Sequence, residues 1–151
     1  MKPLIVLLLS FTITIFLIIF FKKEYKFALS ARTAMAIILV FTAIGHFIFT
    51  KGMSMMIPKL IPFKESFVYL TGIFEILLAI GLLTPKFQTI SGWLLIIYLL
   101  LMLPANIYAS MNNVNYKKGT FDGKGIIYLL FRIPLQILFI AWTYISAIRF
   151  F

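Results

Sequence analysis

Apolar residues in this chain gather into five stretches, Pro3 to Phe21, Thr33 to Thr50, Phe67 to Thr84, Gln88 to Ser110 and Gly125 to Ile148. Each is close to the length of about 20 residues that an α-helix needs to cross the hydrocarbon core of a bilayer. The pattern predicts an all-α protein, a polytopic transmembrane helical bundle. Its connections are short. Pro85-Lys86 marks a tight turn, and Asn112 to Lys124 is the most water-like segment, with Gly119, Asp122 and Gly123 as turn formers. Lys51 to Ser66 carries Pro58 and Pro62 but is too apolar for a free loop, so it is expected at the interface or folded back onto the bundle. The chain shows no internal repeat and no low-complexity tract.

The polar exceptions inside these stretches carry the functional information. His46 lies in the second, Glu75 in the third, Asn106 in the fourth, and Arg132 with Gln136 in the fifth. An ionisable side chain in a spanning helix is costly, faces a bundle interior rather than lipid, and marks a site by default. Alternating helix direction allows a depth test at 1.5 Å per residue. His46 and Asn106 fall roughly 6 Å from the ends of their stretches, and Glu75 and Arg132 roughly 12 and 10 Å from the starts of theirs. All of these positions share one half of the bilayer. Helical spacing agrees: Thr42, His46 and Thr50 form one stripe, Gly72, Glu75 and Ala79 a second, Asn106 and Ser110 a third, and Tyr128, Arg132 and Gln136 a fourth. Pro104 and Pro134 interrupt backbone hydrogen bonding beside them and are expected to kink their helices and open a cavity.

Each feature also has a purely structural reading. Glu75 and Arg132 can pair simply to hold two helices in register. His46 can be an interfacial or hydrogen-bonded residue, and Asn106 can satisfy carbonyls that Pro104 leaves open. Met53, Met55 and Met56 near His46 offer thioethers suited to Cu(I), but an apolar interfacial loop is the favoured reading. No metal site is assigned. Trp93, Trp142 and Tyr144 are expected to be interfacial aromatic anchors.

Composition narrows the classes further. The 151 residues are 63% hydrophobic and only 12% charged, and the mean hydropathy is +1.09, too apolar to cover a soluble globule. The net charge of +10 sits mostly at the ends of apolar runs, where it meets lipid headgroups. It forms no basic stripe, so nucleic acid is not an expected partner. The absence of cysteine excludes disulfide exchange and iron–sulfur clusters held by this chain alone. The first apolar run is longer than a signal core of about 7–15 residues, and Lys22, Lys23 and Lys26 precede the small residues Ala28-Leu29-Ser30, so an uncleaved anchor is expected. Lys/Arg counts on the two sides are six and seven. The dense group Lys22, Lys23, Lys26 and Arg32 after the first run favours an outside N-terminus and a cytoplasmic C-terminus in a bacterial cell membrane.

The motifs Gly45-His46-Phe47, Ile57-Pro58 with Ile61-Pro62, Thr71-Gly72-Ile73-Phe74-Glu75, Gly81-Leu82-Leu83-Thr84-Pro85, Leu103-Pro104-Ala105-Asn106-Ile107-Tyr108, Arg132-Ile133-Pro134-Leu135-Gln136 and Trp142 follow one another over the last four stretches. In order and spacing they resemble the DoxX family of small bacterial membrane proteins. The resemblance implies a four-helix membrane domain over residues 31–151, preceded by an extra anchor helix and basic loop over residues 1–30. The founding DoxX member is named as a subunit associated with a quinone-reducing sulfur oxidation complex, and other members are linked to redox stress at the membrane. The expected function is therefore an accessory or ligand-binding component. It would hold a quinone or lipid-like molecule at an intramembrane Glu/Arg site formed by His46, Glu75, Asn106, Arg132 and Gln136. Membrane lipid, a membrane redox subunit and a second copy of the chain are the partners considered. Alternatives are a stand-alone isomerase or reductase of an apolar substrate, with Glu75 as acid/base group, and a small transporter or proton pathway.

Overall fold

The structure is a computed structural model that describes residues 2–149. It contains six α-helices: α1 (Lys2–Lys22), α2 (Phe27–Ile48), α3 (Thr50–Ser54), α4 (Lys64–Leu83), α5 (Gln88–Met111) and α6 (Ile126–Thr143), the last continuing as a π-helical turn over Tyr144–Arg149. No strand forms among the described residues; the loop after α5 holds one isolated antiparallel bridge between Asn115 and Thr120. Counting α6 with its continuation, five helices are long and apolar enough to cross a membrane, as the pattern predicts.

Helix α1 is apolar on every side and buries only Leu7, as suits a helix that meets lipid over most of its surface. It leans on α2, and its Phe11 packs edge-on against Phe27 and Trp142. The other four long helices enclose the core. Helix α2 is central, packing against α1, α4 and the end of α6. Its buried face is largely small: Ser30, Ala31, Ala34, Ala36 and Ala43. Between helices in lipid there is little hydrophobic drive, so close backbone approach by small residues does much of the packing. Gly72 serves the same end on α4, since a Cβ there would lie 3.0 Å from the His46 Cβ and 3.4 Å from the Phe47 ring.

Helix ends follow local chemistry. Thr84 is extended (φ −90°, ψ 115°), as the residue before Pro85 must be to avoid its ring, and this terminates α4. Gly125, at φ +57°, starts α6 from a conformation that favours glycine. Helix α2 begins six residues earlier than the apolar run, at Phe27. Ala28, Ser30 and Ala31 are small enough to pack there, and Arg32, expected in the first loop, lies inside the helix with its guanidinium donating to the side-chain carbonyl of Gln88 on α5. Helix α4 likewise starts early, at Lys64.

Trp142 donates from Nε1 to the Ala31 carbonyl at 3.0 Å and so staples α6 to α2. One further expectation is corrected. Pro134 opens no space at Glu75; it is exposed and, with Leu4 and Leu130, lines an apolar groove of about 220 Å³ between α6 and α1. The segment after α3 combines both predicted behaviours. Thr50, Gly52 and Ile57 are buried against the bundle, whereas Leu60 and Phe63 are almost fully exposed, as for side chains at a lipid interface.

Candidate functional site

Glu75 is 5% exposed at the middle of α4. Its carboxylate is held from two other helices. Tyr98 of α5 donates its phenolic hydrogen to Oε1 at 3.0 Å, and Thr42 of α2 donates to Oε2 at 2.9 Å. The hydroxyl of Thr42 also lies 3.1 Å from the carbonyls of Ile38 and Leu39, so its one hydrogen is shared among acceptors. His46 Nδ1 stands 3.4 Å from Oε2 and 2.9 Å from the Thr42 carbonyl. A carbonyl can only accept, so Nδ1 carries a hydrogen and Nε2 is the ring position at which a proton is gained or lost. The hydroxyl of Thr71, one turn before Glu75, also approaches the Tyr98 phenol. Charged and polar groups are thus paired with one another across α2, α4 and α5, the usual requirement for ionisable residues inside a membrane.

A second polar group joins α5 to α6. Asn106 is 4% exposed. It donates from Nδ2 to Gln136 Oε1 at 3.3 Å, and the Tyr128 hydroxyl reaches its Oδ1 at 3.5 Å. Gln136 in turn donates from Nε2 to the backbone carbonyl of Leu99. Pro104 has no N–H to offer Leu100, so this turn of α5 is already loosened. The side chain that reaches into it is Gln136, not the expected Asn106.

The sequence-predicted residues therefore divide. His46 and Glu75 come together, as do Asn106 and Gln136. The pairing of Glu75 with Arg132 is not formed: the ion-pair partner of Glu75 is His46, because the close α2–α4 approach at Gly72 brings the ring to the carboxylate first. Arg132, partly buried, makes no hydrogen bond or ion pair among the described residues, although its charge is felt at His46, Tyr98 and Tyr128. It lies one helical turn from both Tyr128 and Gln136, level with the Asn106 amide. Ser110, one turn beyond Asn106, has a buried hydroxyl with no partner among the described residues. Thr50, on the His46 stripe, caps the end of α2 by donating to the His46 and Phe47 carbonyls. No group of three or more His, Cys, Asp or Glu side chains suited to a metal ion occurs among the described residues.

Tyr98 is the participant that sequence reasoning missed. It sits eight residues before Asn106, on the same stripe of α5, so extending the polar stripe by two turns finds it.

One protein-family model, described as "Domain of unknown function (DUF8561)", matches residues 35–147. This chain belongs to that family. The matched region runs from within α2 into the π-helical turn. It holds every residue of both polar groups and leaves α1 outside. No curated protein and no solved structure matches the chain.

Proposed function

We propose that this chain is a DoxX-type membrane component that holds an amphiphilic molecule, a quinone or a similar lipid-like compound, with its polar head against Arg132. The observation that carries this reading is the spare guanidinium. Glu75 is satisfied by His46, Thr42 and Tyr98, so the donors of Arg132 remain for an acceptor that none of the described residues supplies. An arginine with no partner among the described residues of a spanning helix is costly, and a quinone carbonyl or a lipid headgroup oxygen relieves that cost. Asn106, Gln136 and the unpartnered hydroxyl of Ser110 add neutral hydrogen-bonding groups around the same level of the α5–α6 seam. On this reading the chain works beside a membrane redox subunit or a second copy of itself, and Glu75 with His46 anchors the seam behind the ligand.

Native mass spectrometry of the protein purified in mild detergent tests this. The wild-type chain is expected to carry a quinone or lipid-sized adduct, and Arg132→Gln to lose it. An adduct kept unchanged by Arg132→Gln would end the assignment.

A second reading rests on the Glu75–His46 contact. A carboxylate 3.4 Å from an imidazole can relay a proton in an isomerase or reductase acting on an apolar substrate. Turnover by the purified chain, abolished by Glu75→Gln and by His46→Gln alike, would favour it over the accessory role.

A further inference from the structure

At the end of the bundle where α2 stops, α3 and the loop after α5 form a cleft of about 180 Å³. Three lysines line it, Lys51 from α3 and Lys117 and Lys118 from the loop, together with Ile48, Phe49 and Tyr116. Close packing sets its walls. Gly52 lies directly against the Tyr116 carbonyl, where any side chain would overlap it, and Phe49 packs edge-on against the Tyr116 ring with centroids 6.0 Å apart. The loop is braced across its own neck, where Asn115 donates to the Thr120 carbonyl at 2.8 Å and Gly119 donates to the Asn115 carbonyl at 2.8 Å.

The electrostatics select an anion. Lys117 Nζ lies 5.9 Å from the Tyr116 ring centroid, which keeps its ammonium beside the cleft. The carbonyls at the end of α2 would repel an anion, but they are already engaged: Gly45 accepts from the Phe49 N–H, and His46 and Phe47 accept from Thr50. The carboxylate that pairs with a cleft lysine is Asp122. Its hydrogen bond from Thr120 holds the carboxyl below the usual range, so it stays ionised and draws Lys118 to 3.8 Å. Lys51 and Lys117 are left as the effective cations. Leu60, Phe63 and Phe121, in the loops at this same end, expose apolar side chains, which places the cleft at the boundary between acyl chains and headgroups.

We infer that this cleft binds the phosphate of an anionic phospholipid, with Lys51 and Lys117 as its principal ligands. The site is independent of the amphiphile at Arg132, since it uses different residues and a different face. A basic residue close to an anionic membrane surface contributes about fivefold in binding. Losing both lysines is therefore expected to weaken retention of an anionic lipid by about 25-fold.

The test titrates delipidated full-length chain in detergent with phosphatidylglycerol or phosphatidylcholine and counts lipid adducts by native mass spectrometry. Phosphatidylglycerol is expected to be retained preferentially. Lys51→Gln/Lys117→Gln is expected to remove that preference, and Lys86→Gln at the opposite end of the bundle to leave it intact. Both lysines of the double variant lie at the surface, and circular dichroism checks its helix content. Equal retention of the two lipids overturns the proposal. So does an equal loss in Lys86→Gln, which would reveal general surface charge, or full displacement of the adduct by inorganic phosphate, which would reveal a free-anion site.

Discussion

The seam between α2 and α4 and the seam between α5 and α6 solve the same problem differently. Each must hold polar groups in a bundle whose outer surface faces lipid. The α2–α4 seam closes completely around its charge: Gly72 lets the backbones approach, His46 and Thr42 reach the carboxylate from α2, and Tyr98 supplies the remaining donor from α5. The α5–α6 seam is built from neutral amides, with Pro104 loosening α5 beside it, and leaves Arg132 and Ser110 without hydrogen-bond partners among the described residues. A saturated carboxylate is a poor place to receive a ligand and a good place to fix geometry. Spare donors beside neutral amides are the reverse. On the proposed function Glu75 is a structural pole and Arg132 a receiving pole, two roles that a pairwise reading of the two charges merges.

The strongest challenge to this division is Glu75→Ala. It strands the Tyr98 hydroxyl and the imidazole in a buried seam, and the expected loss is about 3 kcal/mol, measurable as a lower unfolding temperature in detergent. Glu75→Gln keeps an acceptor and is expected to recover more than half of that loss. If alanine is as stable as wild type, the carboxylate is not the structural pole. Next in size is Gly72→Val, whose added carbons meet His46 and Phe47. Overpacking of this kind costs about 1–3 kcal/mol, and the double variant with Phe47→Ala, which removes the ring that the new side chain meets, is expected to be less destabilised than the sum of the two single changes.

Gln136→Leu sharpens the other side. It removes the amide pair with Asn106 and the bond to the Leu99 carbonyl, and interhelical hydrogen bonds in membranes average about 0.6 kcal/mol each. A loss of about 1 kcal/mol is expected, well below that of Glu75→Ala. The one change expected not to destabilise is Arg132→Gln: once ligand is stripped it removes an unpaired charge from a spanning helix, so the variant is expected to be at least as stable as wild type, while the bound amphiphile is lost. A large destabilisation of the ligand-free protein would instead show that Arg132 has a structural partner.

Much of this arrangement was legible in the chain. Apolar runs with lysines at their ends and prolines between them mark spanning helices because lipid demands internally satisfied backbone and apolar side chains over a fixed length. Depth places His46, Glu75, Asn106 and Arg132 in one half of the bundle and helical spacing puts Gln136 on the Arg132 stripe, and the His46–Glu75 and Asn106–Gln136 contacts agree with that. Partner choice was harder to read. Opposite charge favours Glu75 with Arg132, but charge alone does not state which helices touch at which turn. Gly72 is visible as a small residue, yet only packing shows that the side chain it admits is His46. Tyr98 escaped notice because a tyrosine in an apolar run reads as bulk until its hydroxyl is seen to have a buried acceptor. Arg32 reads as a loop residue because a charge ends an apolar run, whereas Gln88, distant in sequence, accepts from its guanidinium inside the helix.

The sequence by itself determined that this is an all-helical bundle with five segments able to cross a bilayer, and which polar residues it carries within them, because the periodicity and length of apolar runs are local properties that lipid enforces directly. Only the tertiary structure decided that Glu75 belongs to His46, Thr42 and Tyr98, that Arg132 bonds to none of the described residues, and that three lysines from α3 and the loop after α5 meet in one cleft. Those outcomes depend on the distance at which two helices pack, set by where a glycine or alanine falls on each facing surface, and a one-dimensional pattern does not contain that distance.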